Sequence, residues 1–580
     1  MTETDVLVAG GGPVGLLLGH ELSQRGVRVM LVERNLHSTR HPKMDITNAR
    51  SMEHFRRLGL ASSIRAHATP PQNPVSVIWT DKLGGKAIAR FDYPSYEEAV
   101  KKQSQINDGT GVAEPLMRIS QVVLEPLLRD MLERNGRQVQ VDFGWRFDSF
   151  TEESDYVTSN LSNVQTGEKR QVRSRYLAGC DGAKSQVRRQ LGIEWNVMDT
   201  RLGPIAAIKH KYGLAAAAGV LFGSLKPGHK IPDGRVFMIH FKSNDLSFFH
   251  RNGVFWHEQC AQTGDTLIAQ DDVETWTLHV LMNSAMDPDR IDPKALLRER
   301  LGRNIECEIL AANAWRPALT IANQFGRGRV WLAGDACHQV IPTGGYGMNT
   351  GVGEAVTLGW MLAAMVQGWG GPKLLAAYEA ERKPVIEANR QGSALNAGVR
   401  AMITARAGTA LDKHAAYIRK LGNLENEALG LEADYRYDTS PLIWHEAGPA
   451  DPWRIDGIIP SACPGARLPH FWLEPGVAVF DRLGQGFTLI RTADADVTGF
   501  ERAAEALNLP LTVLDIRDAR ATKLYQRPLL LIRPDQHVAW RGAAPPNDAL
   551  SILKRVTGLT YRSAEPESGD GADGASKRGP

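Results

Sequence analysis

Three stretches of the sequence predict an α/β protein built on a parallel sheet, with an antiparallel sheet inserted into it and a small α/β domain behind it. Within the first 33 residues a strand (5–9), a glycine-rich turn, a helix through Leu22 and a second strand (27–33) follow one another, the unit that builds parallel sheets. From about 74 to 113 and from 195 to 282 short β-favouring runs take over, at 75–79, 236–241 and 275–281. Beyond Arg436 strands and helices alternate again.

Taken in order, residues 45–58 and 120–134 have the spacing of amphipathic helices. A strand returns at 330–333 and leads into a second glycine-rich turn and a helix from 351 to about 366. A helical stretch follows from 374 to about 431. The last domain reads as strands at 477–480, 487–491, 511–514, 529–532 and 538–540, with helices at 501–507 and from 548. The tail from Ser563, rich in Gly, Ser, Asp and Pro, cannot bury a core and is expected to be disordered.

At 580 residues the chain is well past the size at which a single core keeps growing, so several domains are expected. Its net charge of +3, with no long basic run, gives nucleic acid no electrostatic footprint. The five cysteines contain no C-x-x-C pair, and no His/Cys/carboxylate cluster has metal-ligand spacing, so no metal is expected. No nucleophile elbow G-x-S-x-G is present. The acidic N-terminus is no secretory signal, and no apolar run reaches ~18 residues, so a cytoplasmic chain with no membrane span is expected.

The first turn, Gly10-Gly11-Gly12-Pro13-Val14-Gly15, carries the chemistry. Gly10 allows the tight turn, Gly12 lets the backbone approach a pyrophosphate, and Gly15 lets helix and strand pack closely. The helix N-terminus offers free N–H groups to the phosphates. Eighteen residues beyond Gly15, Glu33 ends the second strand, where a carboxylate can accept from ribose hydroxyls. This is a Rossmann-type dinucleotide site. The motif leaves FAD and NAD equally open.

Two later segments carry a family resemblance. Residues 177–188, with Asp181-Gly182, resemble the DG motif of the class A FAD-dependent aromatic monooxygenases. Residues 334–349, with Asp335, Pro342, Gly345, Gly347, Met348 and Asn349, resemble their GD motif, and Leu375 to Pro384 also match. A glycine-rich stretch opening a helix can aim N–H groups at the flavin edge where negative charge gathers on reduction. The segment departs from the usual wording at Ile341, Tyr346 and Glu354, where proline, glutamine and aspartate are common. The last domain resembles the thioredoxin-like appendage of the phenol hydroxylase branch; lacking C-x-x-C, it cannot run dithiol chemistry and is expected to serve packing or oligomerisation.

The resemblance implies a Rossmann-type FAD-binding domain in three parts (1–73, 114–194 and 301–390), an inserted substrate domain (74–113 and 195–300), a helical connector (391–436), the thioredoxin-like domain (437–562) and the tail (563–580). It implies FAD contacts from Gly10, Gly12, Pro13, Val14, Gly15, Glu33, Arg34, Arg50, Arg118, Gln121, Asp181, Asp335, Pro342, Gly345, Gly347, Met348 and Asn349. The activity implied is hydroxylation of a small aromatic, phenolic substrate with O2 and NADH or NADPH, through a flavin C4a-hydroperoxide. Apart from a match at 569–574 in the tail, where no strand or helix pattern flanks it, the chain has a single G-x-G-x-x-G, which fits a nicotinamide cofactor used transiently. A homodimer is compatible with this reading. Baeyer–Villiger or epoxidising chemistry on the same scaffold, and a flavin-binding module without turnover, are the alternatives.

Asp45 matches the position where phenol-hydroxylating relatives carry an aspartate or histidine beside the ring, and is the candidate catalytic residue. An ordinary aspartate is a poor base for a phenol, so the role requires a raised pKa or a hydrogen bond that strengthens during attack. The competing reading makes Asp45 the cap of a helix starting near Ile46. His338 reads as a packed polar side chain with no partner in view. Trp256, Trp276 and His240 read as pocket lining or as core.

Overall fold

The computed structural model describes residues 2–224, 232–448 and 451–560, so the expected disordered tail lies outside the described residues. Strand β1 (Thr2–Ala9), helix α1 (Pro13–Gln24) and strand β2 (Val29–Glu33) form the expected opening unit. β1 pairs in parallel with β2 and with the strand Lys169–Gly179, which in turn pairs in parallel with Val330–Leu332. The strand Val139–Phe143 extends the sheet beyond β2. Residues 6–9 and 29–32 are buried, as strands covered on both faces must be. On one face α1 packs closely against the helix Tyr346–Gln367: a Cβ at Gly359 would come within 2.8 Å of the Glu21 Cβ.

The second sheet runs in the order Glu308–Trp315, Pro232–Lys242, Thr275–Asn283, Thr266–Ala269, His257–Cys260, β4 (Val75–Thr80) and β5 (Ala87–Tyr93). It is antiparallel except where His257–Cys260 runs parallel to β4. The expected boundary at residue 300 is therefore too early, because Glu308–Trp315 is an edge strand of this sheet. The β texture expected from residue 195 onward is also broken, by the helices Leu202–Tyr212 and Leu214–Ser224. The run of alanines at 215–218 favours a helix.

The 374–431 stretch is three helices, Leu374–Thr404, Leu411–Leu421 and Leu429–Ala433, and the first crosses the expected boundary at 390. The C-terminal sheet has the order Leu511–Asp515, Phe487–Arg491, Leu529–Ile532, Val538–Gly542. Its first pair is parallel and the others antiparallel, an order that fits the thioredoxin-like expectation.

Between these bodies lies a short connection. Residues Ile46–Thr47 (β3) pair with Met117–Arg118, and helix α2 (Ala49–Arg57) starts only afterwards, capped by the Asn48 side chain, which accepts from the Ser51 N–H. Buried charges then join α2 to the C-terminal domain. Glu53 pairs with Arg50 at 3.0 Å and with Arg467, and all three side chains are almost wholly enclosed. Arg533 joins Asp535 to Glu381 of the long helix.

Candidate functional site

The carboxyl ends of the parallel strands meet at one edge, where Ala9, Val32, Gly179 and Leu332 stand in register. Open α/β sheets bind their ligands there. Gly10 sits at φ +114°, and a Cβ on it would overlap the Cys180 carbonyl, so only glycine closes this turn. Among the described residues no atom beyond its own chain neighbours lies within 4 Å of where a Cβ on Gly12 would stand, so its backbone faces open space in the cleft. Gly15 is shut against the Gly10 carbonyl and serves packing, outside the cleft lining.

The Glu33 carboxylate accepts from the Gly11 and Asn35 N–H groups, both at 2.8 Å, which holds it at the cleft wall beside Arg34. Asp181 caps a short helix with one oxygen, accepting from the Gln186 N–H at 2.6 Å. Its other oxygen is buried with no hydrogen-bond partner among the described residues, and burial pushes the carboxyl above the usual range. An orphaned acceptor in a cleft wall is what a missing hydroxyl donor would satisfy.

The second glycine-rich turn closes the same cleft. Asp335, Pro342, Gly345, Gly347 and Met348 line it, as do Pro13, Val14 and Gln121. Behind the turn, Glu354 accepts from the Gly334 N–H at 2.7 Å and pairs with His338 Nε2 at 3.1 Å. His338 thus has a partner that its sequence neighbourhood did not reveal. Burial depresses its pKa, but Glu354 outweighs burial and raises it. Cys337, His338 and Glu354 bring ligand-type atoms within 4.8 Å of one another, a grouping that linear spacing hid. Burial and Glu354 hold the Cys337 thiol well above its ordinary pKa, so it stays protonated.

Besides Gly15, three expected FAD contacts lie outside the cleft lining. Arg50 is turned to the C-terminal domain, donating to the Asp535 carbonyl at 2.8 Å and to Gln536 and Glu53. Arg118 is locked on Asp272 (2.8 and 3.0 Å) and the Ala269 carbonyl. The Asn349 side chain bonds the Asn48 N–H and the Ile46 carbonyl, fixing β3. None of the three lines the cleft. Each arginine has a buried partner distant in sequence, which local reading does not reach.

The cleft, of about 1290 Å3, runs on from the strand ends to one face of the second sheet. A single small-molecule site takes ~300–1,000 Å3, so there is room for a dinucleotide and a second ligand. Register builds the far wall: Asn313, Met238, His279 and Thr266 stand side by side on four adjacent strands, and His257 stands opposite Ile268.

Asp45 lies against this wall and caps no helix, since β3 intervenes before α2. It accepts from Trp256 Nε1 at 2.6 Å and lies 3.4 Å from His257 Nε2. Burial pushes its carboxyl up, but His257, Trp256 and Arg118 outweigh it and leave the pKa low. The raised pKa that a direct base would need is absent. Trp276 is fully buried and stacked on Phe249, and His240 bonds Thr277, so both are core. His257 was missed, because only the sheet register brings it to Asp45.

Residues 3–219 and 221–393 match the family described as FAD binding domain, and 461–559 match the aromatic-ring hydroxylase C-terminal family. The chain belongs to the class A FAD-dependent aromatic hydroxylases. The hydroxylase is 33% identical to the FAD-dependent monooxygenase apdD of Emericella nidulans, over 93% of this chain and 87% of that one. It is 27% identical to a phenol 2-monooxygenase of a Pseudomonas species, over 95% and 92%. Among solved structures, a ternary complex of aklavinone-11 hydroxylase with FAD and aklavinone matches with a TM-score of 0.77 and 26% identity, over 96% of the hydroxylase and 99% of that chain. No helix among the described residues is long and apolar enough to cross a membrane.

The residues present fit FAD. The open backbone at Gly12, the unpartnered Asp181 oxygen and the glycine-opened helix at Gly345 face one cleft or its wall.

Proposed function

We propose that the hydroxylase inserts one oxygen atom of O2 into an aromatic, phenolic substrate, using NADH or NADPH as reductant. The observation that carries this is the single cleft joining the phosphate-binding strand ends to the polar sheet face at Asp45. FAD, once bound and reduced, supplies the oxygen-activating chemistry.

The protein's own residues do the rest. Gly10, Gly12 and the start of α1 cradle the phosphates, and Glu33 and Asp181 accept from hydroxyl groups of the cofactor. The N-terminus of Tyr346–Gln367 aims N–H groups at the cleft through Gly347 and Met348. The sheet wall shields the ring from water, and Asp45, ionised and half-buried, orients the polar groups beside it. The C-terminal domain holds α2 and takes no part in the reaction.

A panel of phenols, from one ring to several fused rings, should include members that accelerate NAD(P)H oxidation by the FAD-loaded chain, with label from 18O2 appearing as a new ring hydroxyl. Label in a lactone or an epoxide would replace this reading by ring-inserting or epoxidising chemistry. No acceleration by any phenol would sink it.

A further inference from the structure

His257 opens a strand of the far wall, and its Nε2 lies 3.4 Å from the Asp45 Oδ2. The same oxygen accepts from Trp256 Nε1 at 2.6 Å. An ionised carboxylate can only accept, so the hydrogen between Asp45 and His257 belongs to Nε2. This sets the tautomer of the neutral ring and leaves the lone pair on Nδ1. Among the described residues nothing hydrogen-bonds Nδ1, and the side chain lines the cleft.

The titratable groups nearest His257 on neighbouring elements are otherwise engaged. His279, from the strand Thr275–Asn283, is pushed down to about 4 by burial and stays neutral, a weak acceptor. Arg400, from the long helix, is tied to Glu425 at 2.7 Å, and Arg118 to Asp272 at 2.8 Å. Neither cation stands unpaired against the ring.

We propose that His257, oriented by Asp45, is the catalytic base that takes the proton from the substrate's ring hydroxyl. The proposal rests on the phenol reading above. In this step the substrate O–H bond breaks, its electron pair stays on oxygen, and an N–H bond forms at Nδ1. Nothing is oxidised or reduced. The imidazolium that results is stabilised by Asp45, which itself stays ionised and is a positioning residue. The phenolate is the more electron-rich ring, and the proton returns to solvent as product leaves.

The test reads ionisation of a bound phenol. 4-Nitrophenol, whose anion has its own absorbance band, is titrated into the FAD-loaded full chain between about pH 5 and 8. The two-ring 4-nitro-1-naphthol is run in parallel for a site that needs a wider ligand. The wild type should bind a probe as the anion, with its apparent pKa lowered by about one unit or more, roughly tenfold in the equilibrium. H257Q should bind it un-ionised and form hydroxylated product ~10²-fold more slowly, with FAD content unchanged. D45N should keep part of the shift, because the imidazole remains but its cation loses a partner. H257F is the second variant should H257Q fail to fold.

Ionisation in H257Q equal to wild type would overturn the proposal while leaving the phenol reading intact. Loss of ionisation in D45N but not in H257Q would move the base to Asp45 and overturn it equally. If neither probe binds and no phenol accelerates NAD(P)H oxidation, the phenol reading itself fails, and the proposal falls with it.

Discussion

Replacing Glu53 by Gln probes the junction between α2 and the C-terminal domain. The carboxylate is fully enclosed between Arg50 and Arg467 and also accepts from the Ala113 N–H at 3.0 Å. Burial alone would push its pKa up; Arg467 and Arg50 outweigh burial and hold it below the ordinary range. It is therefore ionised at neutral pH. The amide keeps the shape, removes the charge and strands two buried guanidiniums. Removing one partner of a buried pair costs ~3–5 kcal/mol, and Arg50 keeps the Asp535 carbonyl, which favours the lower end, about 3 kcal/mol. With a urea slope of ~1–3 kcal/mol/M, the midpoint should fall by roughly 1–3 M. The assay is urea unfolding of the FAD-loaded chain followed by tryptophan fluorescence, with the slope compared between variants.

A second substitution separates stranded charge from lost packing. Adding R467M to E53Q removes one of the unpaired cations and should raise the midpoint again, although R467M alone lowers it. An E53Q unfolding free energy within ~0.5 kcal/mol of wild type, or additive losses in the double mutant, would refute the buried-charge account.

Other substitutions have equally definite outcomes. Gly12→Val has open space before it and should give folded protein without flavin, whereas Gly10→Ala, at φ +114° against the Cys180 carbonyl, should not fold; circular dichroism with the 450-nm absorbance distinguishes the two. Cys463→Ser should leave turnover unchanged, since that thiol meets Arg541 at 3.0 Å and the side chains of Asp451 and Ser461, all within the C-terminal domain. His338, raised by Glu354, contributes stability that is fully present below its ordinary pKa of ~6.5 and is lost as pH rises through the raised value. The wild-type melting temperature should therefore fall relative to H338Q between about pH 6 and 9, and parallel pH profiles would remove the ion pair from the account.

The phosphate end of the cleft was legible in the sequence because its parts are local. A glycine that must turn, a glycine that must open and an acid at a strand end each follow from their own neighbours. The β3 interruption was not legible, because the apolar spacing of 45–58 runs on as a helix and the pairing of Ile46 with Arg118 spans 72 residues. Arg50 misled for the same reason: its carbonyl partner, Asp535, lies 485 residues away. His257 carries no local signature, and only the meeting of its strand with Asp45 makes it functional. The helices at 202–224 are a different case, since their alanines did signal helix and the β runs around them masked it.

The buried charges on α2 limit how this enzyme can be recombined with its relatives. Arg467 and Arg533 belong to the C-terminal domain, whereas their partners Glu53 and Glu381 belong to the flavin-binding part and its long helix. A chimera cut between the two inherits half of each pair, and α2 begins two residues after the strand that follows Asp45. Splicing in a foreign tail domain without matching these four positions would disturb the wall of the cleft while leaving every lining residue in place. Libraries built by domain exchange should treat the four as one inherited block.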